Sequence, residues 1–283
     1  MTSTLTGLLE VFDVEQVEPG HYRGGHDAGG RDVIDGSQIL AQAIVAASKH
    51  VPGKVVRKAS GVFARPVRAD EPIALVVEEV HAGRLFTTLR IIARQGERIC
   101  ATFTLLLDVP SEDVIRHPVS APDSTPEQAG EHSMPLTGRE IRLVGLADPN
   151  DPDEVGPPRI EAWLLYDQVP ARDDLRRALL AHFCGHLSIS TTMRAHPGVG
   201  TAMAHHTLST AVMAIDISFL EPVQWDGWIL YDHESTAVGA GMSYVRGQIR
   251  ERSGRLLASF AQDGMIRAME GESAQGLTYR QRL

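Results

Sequence analysis

The spacing of apolar residues predicts one long helix followed by four strands in the first part of the chain. An Ala-, Ile- and Leu-rich run without helix breakers covers residues 38–50, and its small residues leave a face that packs closely against a sheet. Pro52 and Gly53 end that helix. Alternation of apolar and polar positions then predicts strands over 55–65, 72–80, 85–94 and 99–109.

The second part of the chain repeats this succession after a segment rich in Pro, Asp, Ser and Glu. The pattern predicts a leading strand over 159–167 and a helix from Asp173 to about Met193. The residues from Glu270 onward are expected to form a tail. Four more strands are predicted over 207–220, 227–237, 242–252 and 255–266.

An internal duplication accounts for the repeated pattern. The segments 63–67 and 219–223 both read Phe-x-x-Pro-Val, at an offset of 219 − 63 = 156. The segment 101–103 matches 258–260 at an offset of 258 − 101 = 157. One structural unit therefore occurs twice. We predict an α+β double hot-dog fold, in which each unit wraps an antiparallel sheet around its long helix, with units at 1–109 and 159–283 and a linker over 110–158.

Composition narrows the class of protein. The net charge of −9, from 27 Lys and Arg against 36 Asp and Glu, disfavours a nucleic-acid partner. No run approaches the ~18 apolar residues that span a bilayer, and residues 1–10 do not read as a signal peptide, so a cytoplasmic protein is expected. Cys100 and Cys184 make no disulfide framework, and Cys100 is expected to be a small buried hydrophobe.

Several segments, in this order and spacing, resemble the acyl-CoA thioesterase II (TesB-like) family. In the first unit they are residues 36–43 (GSQILAQA), 63–66 (FARP) and 83–90 (GRLFTTLR). In the second unit they are 228–235 (WILYDHES), 244–247 (YVRG) and 257–264 (LASFAQDG). The resemblance implies hydrolysis of acyl-CoA to a carboxylic acid and CoA by an activated water. It implies acyl-CoA as the small-molecule partner, no further cofactor and no metal, and we also expect a homo-oligomer.

The resemblance further implies that an Asp, a Ser or Thr, and a Gln hold the attacking water. The Gln falls on Gln262, but the Asp position falls on Gly185 and the Ser/Thr position on Val212. Two of the three polar groups are therefore replaced. Besides a thioesterase, an acyl-CoA-binding protein that has lost hydrolysis remains open, as does a hydratase or dehydratase, although Asp35 and His50 lack the spacing expected of the latter.

Gln262 is a candidate catalytic residue on grounds independent of the family. Its counterpart in the first unit, at 262 − 157 = 105, is Leu105. Alternation places Gln262 on the same face as Ala258 and Phe260, and a buried amide requires hydrogen-bond partners. We expect it to orient a water or a carbonyl, the alternative being a polar residue near a sheet edge.

The base that activates the water has several candidates. Alternation predicts that Val212, Ala214 and Asp216 share one face, so Asp216 is a candidate general base, or else a carboxylate bound to a loop or an Arg. His182 lies about one helical turn before Gly185 and is a second candidate. His186, further round the helix, is a third, and solvation or capping is the alternative for both histidines.

Two further motifs are weaker candidates for a reactive or metal-binding group. Cys184 is a poor nucleophile because a histidine two residues away on a helix does not face it. His205 and His206 lack the further ligands of a metal site.

The start of the first long helix is a candidate substrate-binding site. Free backbone N–H groups at Gly36, Ser37 and Gln38 are suited to a thioester oxygen or a phosphate. Simple N-capping by Asp35 or Ser37 is the alternative, and the two roles are compatible.

Overall fold

The computed structural model describes residues 3–220 and 222–269, so the expected tail from Glu270 lies outside the described residues. The N-terminal half has two helices, α1 (Leu5–Phe12) and α2 (Gly36–His50). Its six longer strands are β1 (Glu15–Glu18), β2 (His21–Gly24), β3 (Val55–Phe63), β4 (Ile73–Ala82), β5 (Phe86–Gln95) and β6 (Arg98–Asp108). The predicted helix and the four strands after it are confirmed within a few residues.

The C-terminal half has two helices, α3 (Asp173–Cys184) and α4 (Ser188–Met193). Its strands are β7 (Gly130–His132), β8 (Arg139–Leu143), β9 (Arg159–Tyr166), β10 (Leu208–Phe219), β11 (Ile229–Gly239), β12 (Met242–Glu251) and β13 (Leu256–Ala268). Two short ladders supplement these elements, Ser3–Thr4 with Leu136–Thr137 and Val33–Ile34 with Val67–Arg68.

All thirteen labelled strands form one antiparallel sheet in the order β7-β8-β9-β11-β12-β13-β10-β3-β6-β5-β4-β2-β1. The halves join where β10 pairs with β3, and there Ser60 lies opposite Asp216, its counterpart at 216 − 60 = 156. Ala59 pairs with Leu105 as Ile215 pairs with Gln262, so both halves have the same register. The predicted duplication and double hot-dog fold are confirmed.

The two long helices pack against each other inside the curved sheet. Every residue of α2 from Ser37 to Ala47 is buried, and its alanines allow close approach to α3 and to the strands. Alanine loses no rotamer freedom in a helix, so this buried segment combines helix propensity with tight packing. The arrangement brings the first turn of α2 to the junction between the halves.

The sequence interpretation differs from the structure in two places. The predicted linker over 110–158 contains β7 and β8, and β8 pairs with β9, so the sheet extends into that segment. The predicted helix over 173–193 is broken at 185–187, where Leu187 has a left-handed φ of 63° that a continuous helix does not allow. Within the described residues, no helix is long and apolar enough to cross a membrane.

Candidate active site

A cavity of about 640 Å³ lies at the junction of the halves, within the size range of small-molecule sites. One wall is the start of α2 with the loop before it, and another is the end of β3 with the segment after it. The opposite wall combines Gly185, Ile189 and the beginning of β10. The residues that line the cavity are 30–37, 63–67, 185, 189, 205, 210–213 and 265.

The first turn of α2 faces this cavity through Gly36 and Ser37. Asp35 precedes the helix without a side-chain capping bond and instead forms an ion pair with Arg31 at 2.6 Å. Burial raises the pKa of Asp35, but the bonds from Arg31 outweigh it and lower that pKa overall. A Cβ at Gly36 would lie 2.8 Å from the Phe63 ring, so glycine allows this close approach. Neither Asp35 nor Ser37 forms a side-chain capping bond within the described residues, so the N-capping alternative is wrong.

Two of the three predicted substrate-binding residues, Gly36 and Ser37, line the cavity. The side chain of Gln38 is engaged elsewhere: its Oε1 accepts from the Asp27 N–H at 3.0 Å and its Nε2 donates to the Asp27 carbonyl at 2.8 Å. The Gln38 backbone N–H, which is the group predicted to bind substrate, donates to the Asp35 carbonyl at 3.0 Å, and the two side-chain bonds fix the loop that precedes α2.

Gln262 lies on the inner face of the sheet with 1% of its surface exposed. Within the described part of the chain, neither its amide nitrogen nor its amide oxygen has a hydrogen-bond partner. The sheet-edge alternative is therefore wrong. The next row on this face pairs Val212 with Gly264, about 7 Å along the strands, and Val212 lines the cavity. Such an orphaned amide indicates a bound water or ligand.

Asp216 does not share this face. A bulge at Met213 shifts the register of β10, so Val212 faces inward with Gln262, whereas Asp216 pairs with Ala261 and faces the outer side of the sheet. There its carboxylate accepts a hydrogen bond from the Ser60 hydroxyl. The predicted common face of Val212 and Asp216 is wrong, because strict alternation does not hold across a bulge.

His182 is buried and His186 is half-buried behind the wall that Gly185 forms. The His182 ring lies 5.3 Å from the Phe12 ring and 4.9 Å from the His186 ring, and the His186 ring stacks on Phe183. Burial lowers the pKa of His182 well below its usual value, and it lowers the pKa of His186 to about 4. Both imidazoles are neutral at pH 7. His182 is buried rather than solvated, whereas the His186 Nδ1 lies 3.2 Å from the His182 carbonyl at the end of α3, in agreement with the capping alternative for His186.

Gly185 and Ser37 meet at the cavity wall. A Cβ at position 185 would lie 2.4 Å from both the Cβ and the Oγ of Ser37, too close for any side chain to coexist with that serine. The Ser37 residue is 2% exposed, and its hydroxyl has no hydrogen-bond partner among the residues described. The close approach of Ser37 on α2 therefore explains why position 185 is a glycine.

Three polar residues of the inner face were missed in the sequence. Thr210, 4% exposed, lines the cavity; Ser243 is 3% exposed; and His233 is fully buried on β11, where burial lowers its pKa to about 4. Alternation with Tyr231 would have found His233. The bulge after Val212 shifts the alternation along β10, so the sequence does not reveal that Thr210 faces inward.

Cysteine and metal chemistry receive no support at this site. Cys184 is fully buried, its thiol contacts the Leu180 carbonyl at 3.4 Å, and burial raises its pKa well above the usual value. Cys100 is also fully buried, as predicted. Across residues 3–220 and 222–269, no group of His, Cys, Asp and Glu side chains is arranged to hold a metal ion.

The corresponding helix end in the other half is closed. Arg177 on α3 is 2% exposed, pairs with Asp173, donates to the Val56 carbonyl at 3.0 Å, and lies 5.1 Å over the ring of Phe219. Phe219 is the counterpart of Phe63, which lines the cavity at the start of α2. The duplicated scaffold therefore has one open helix end and one filled by an ion-paired arginine.

An open helix N-terminus facing a cavity between two fused hot-dog units defines the class, a double hot-dog protein. The acyl-CoA thioesterase N-terminal domain model matches residues 23–107 and the acyl-CoA thioesterase C-terminal domain model matches residues 116–266. The chain belongs to the acyl-CoA thioesterase II (TesB-like) family.

Individual relatives match over nearly their whole lengths. The chain is 25% identical to acyl-CoA thioesterase 2 of Haemophilus influenzae, covering 95% of this chain and 100% of that protein. It is 27% identical to acyl-coenzyme A thioesterase 8 of Rattus norvegicus, covering 92% and 89%. Among solved structures, the tesB protein of Mycobacterium avium subspecies paratuberculosis has a TM-score of 0.79 at 23% identity, covering 93% and 99%, and supports the fold.

Proposed function

We propose that this protein is an acyl-CoA thioesterase that hydrolyses acyl-CoA to a free carboxylic acid and CoA. The observation that carries the proposal is the buried Gln262 amide, which has no hydrogen-bond partner among residues 3–220 and 222–269 and lies one row from a cavity that the first turn of α2 also faces. The names of the curated relatives support the same activity.

The geometry suits attack by water on a thioester. The thioester oxygen binds the N–H groups of Gly36 and Ser37, whose positive helix end stabilises the oxyanion. Gln262 orients the water, and neutral His182 or His186 accepts its proton. The water oxygen forms the new C–O bond, the C–S bond breaks, and the proton returns to the CoA sulfur.

Cationic side chains at the cavity suit the phosphates of CoA. Arg31 and Arg65 both line it, and Arg65 is exposed, with its guanidinium donating to the Ile99 carbonyl at 2.9 Å. Guanidinium groups bind phosphate through charge-assisted hydrogen bonds. We assign Arg65 to the CoA moiety, while Arg31 is held by Asp35.

The alternative is an acyl-CoA-binding protein without hydrolysis, which is favoured by Gly185 and Val212 at the two replaced positions. The experiment mixes purified protein with acyl-CoAs of several chain lengths and a thiol-trapping dye. Steady thiol release that Gln262→Ala abolishes supports the thioesterase. Saturable CoA binding without release in the wild type would replace it with the binding protein.

A further inference from the structure

The contact between Ser37 and Gly185 assigns a role to a hydroxyl that the family pattern does not include. We infer that the Ser37 side chain occupies the place of the carboxylate expected at position 185 and holds the attacking water. This inference rests on the proposed thioesterase function and names the group that completes its water site.

The first argument is steric. The Ser37 Oγ lies 2.4 Å from the point where a Cβ of residue 185 would stand, so the hydroxyl is within one bond length or two of a carboxylate's attachment point. Ser37 and a larger residue at 185 exclude each other. Only one of these two positions can therefore carry a side chain at this point of the cavity wall.

The second argument is the lack of a partner. The Ser37 hydroxyl is buried and, in the part of the chain that the structure describes, it bonds to no protein group. Burying a hydroxyl without a partner costs free energy, so such a group indicates a molecule that binds there. Gln262 has the same property, and both belong to elements that line or back the same cavity.

The third argument concerns the group that accepts the proton of the attacking water. The resemblance expects a carboxylate as the proton acceptor, but a serine hydroxyl does not accept the proton of water at neutral pH. Gly185 lies between His182 and His186 in the sequence, and the rings of these two residues are 4.9 Å apart, so we assign the proton acceptor to this pair while the Ser37 hydroxyl supplies a hydrogen bond. The Ser37 hydroxyl and the Gln262 amide position the water, and the imidazole accepts its proton.

Single substitutions give the first test. Ser37→Ala is expected to lower kcat about tenfold, the value of one lost hydrogen bond, with KM little changed and the melting temperature unchanged or higher. Ser48→Ala on the same helix is the matched control, because the Ser48 hydroxyl donates to the Ile44 carbonyl at 3.0 Å in an ordinary helical bond. A kcat within twofold of wild type for Ser37→Ala would overturn the inference.

A rescue experiment separates catalysis from packing. Gly185→Asp alone is expected to lower the melting temperature, because its side chain meets Ser37. In the Ser37→Gly background, Gly185→Asp is expected to fold and to restore the kcat lost in Ser37→Gly, with a rate that falls as low pH protonates the new carboxylate. A double variant no more active than Ser37→Gly would overturn the inference while wild-type turnover leaves the thioesterase standing. A wild type that releases no thiol would overturn both.

Discussion

Replacing Gln262 with leucine is expected to stabilise the protein and abolish its activity. The equivalent position of the other half is Leu105, which is fully buried in the same register, so the chain itself shows that leucine fits this site. A buried amide without partners costs about 1–3 kcal/mol. Gln262→Leu should therefore raise the free energy of unfolding by about that amount, and the melting temperature by roughly 2–4 °C per kcal/mol.

The assay compares this variant with a matched glutamine that is satisfied. Gln95 is likewise buried, at 2% exposed, but its amide accepts from the Arg68 N–H at 2.9 Å and donates to the Arg68 and Glu71 carbonyls at 2.8 and 2.7 Å. Gln95→Leu should lower the free energy of unfolding, since its three backbone partners lose their bonds. Urea titrations followed by circular dichroism measure both variants, and thiol release measures activity.

Opposite signs for the two substitutions are the expected result. If Gln262→Leu melts below the wild type, the amide has partners of its own and is structural. If it melts higher but keeps full activity, the amide does not orient the water. Either result would refute the reasoning that links an orphaned buried amide to catalysis at this site.

Three further predictions follow from the geometry. Asp216→Asn should leave kcat within about twofold, because its carboxylate faces the outer side of the sheet; a larger loss in the thiol-release assay would place it in the site. Desolvation lowers the pKa values of His186 and His233 to about 4, so the unfolded state binds more protons between pH 4 and 6.5. Unfolding titrations should show stability decreasing as the pH is lowered through that range, by up to about 1.4 kcal/mol per unit for each histidine, and equal stability at pH 5 and 7 would contradict this. Arg65→Gln should raise KM for acyl-CoA several-fold but leave KM for an acyl-pantetheine unchanged; a matching rise for both would exclude phosphate contact.

The sequence predicted the fold well because its signals were local and repeated. The offset of 156 predicts the same helix and strand succession in both halves, and the pairing of Ser60 with Asp216 agrees with it. The missed strands β7 and β8 lie in a Pro- and Asp-rich segment, where composition masks pairing that depends on the neighbouring β9. Strand formation there depends on pairing with the edge of the sheet and not on the composition of the segment itself.

The site was harder to predict because its geometry depends on single residues. One bulge at Met213 reverses the face of every later residue on β10, which moved Asp216 out of the site. The contact of Ser37 with Gly185 joins residues far apart in sequence, so nothing in either segment reveals it. Gln262 was identifiable because a duplicated chain carries its own apolar reference, Leu105.

The position of Arg177 bears on how many substrate molecules one chain is expected to bind. A symmetric pair of identical units would carry the same helix-end crevice twice, and one sequence would have to serve both. Fusion has allowed the copies to specialise, since the α3 end is anchored by Arg177 and Asp173 while the α2 end stays open. We therefore expect a single acyl-CoA to bind per polypeptide at saturation.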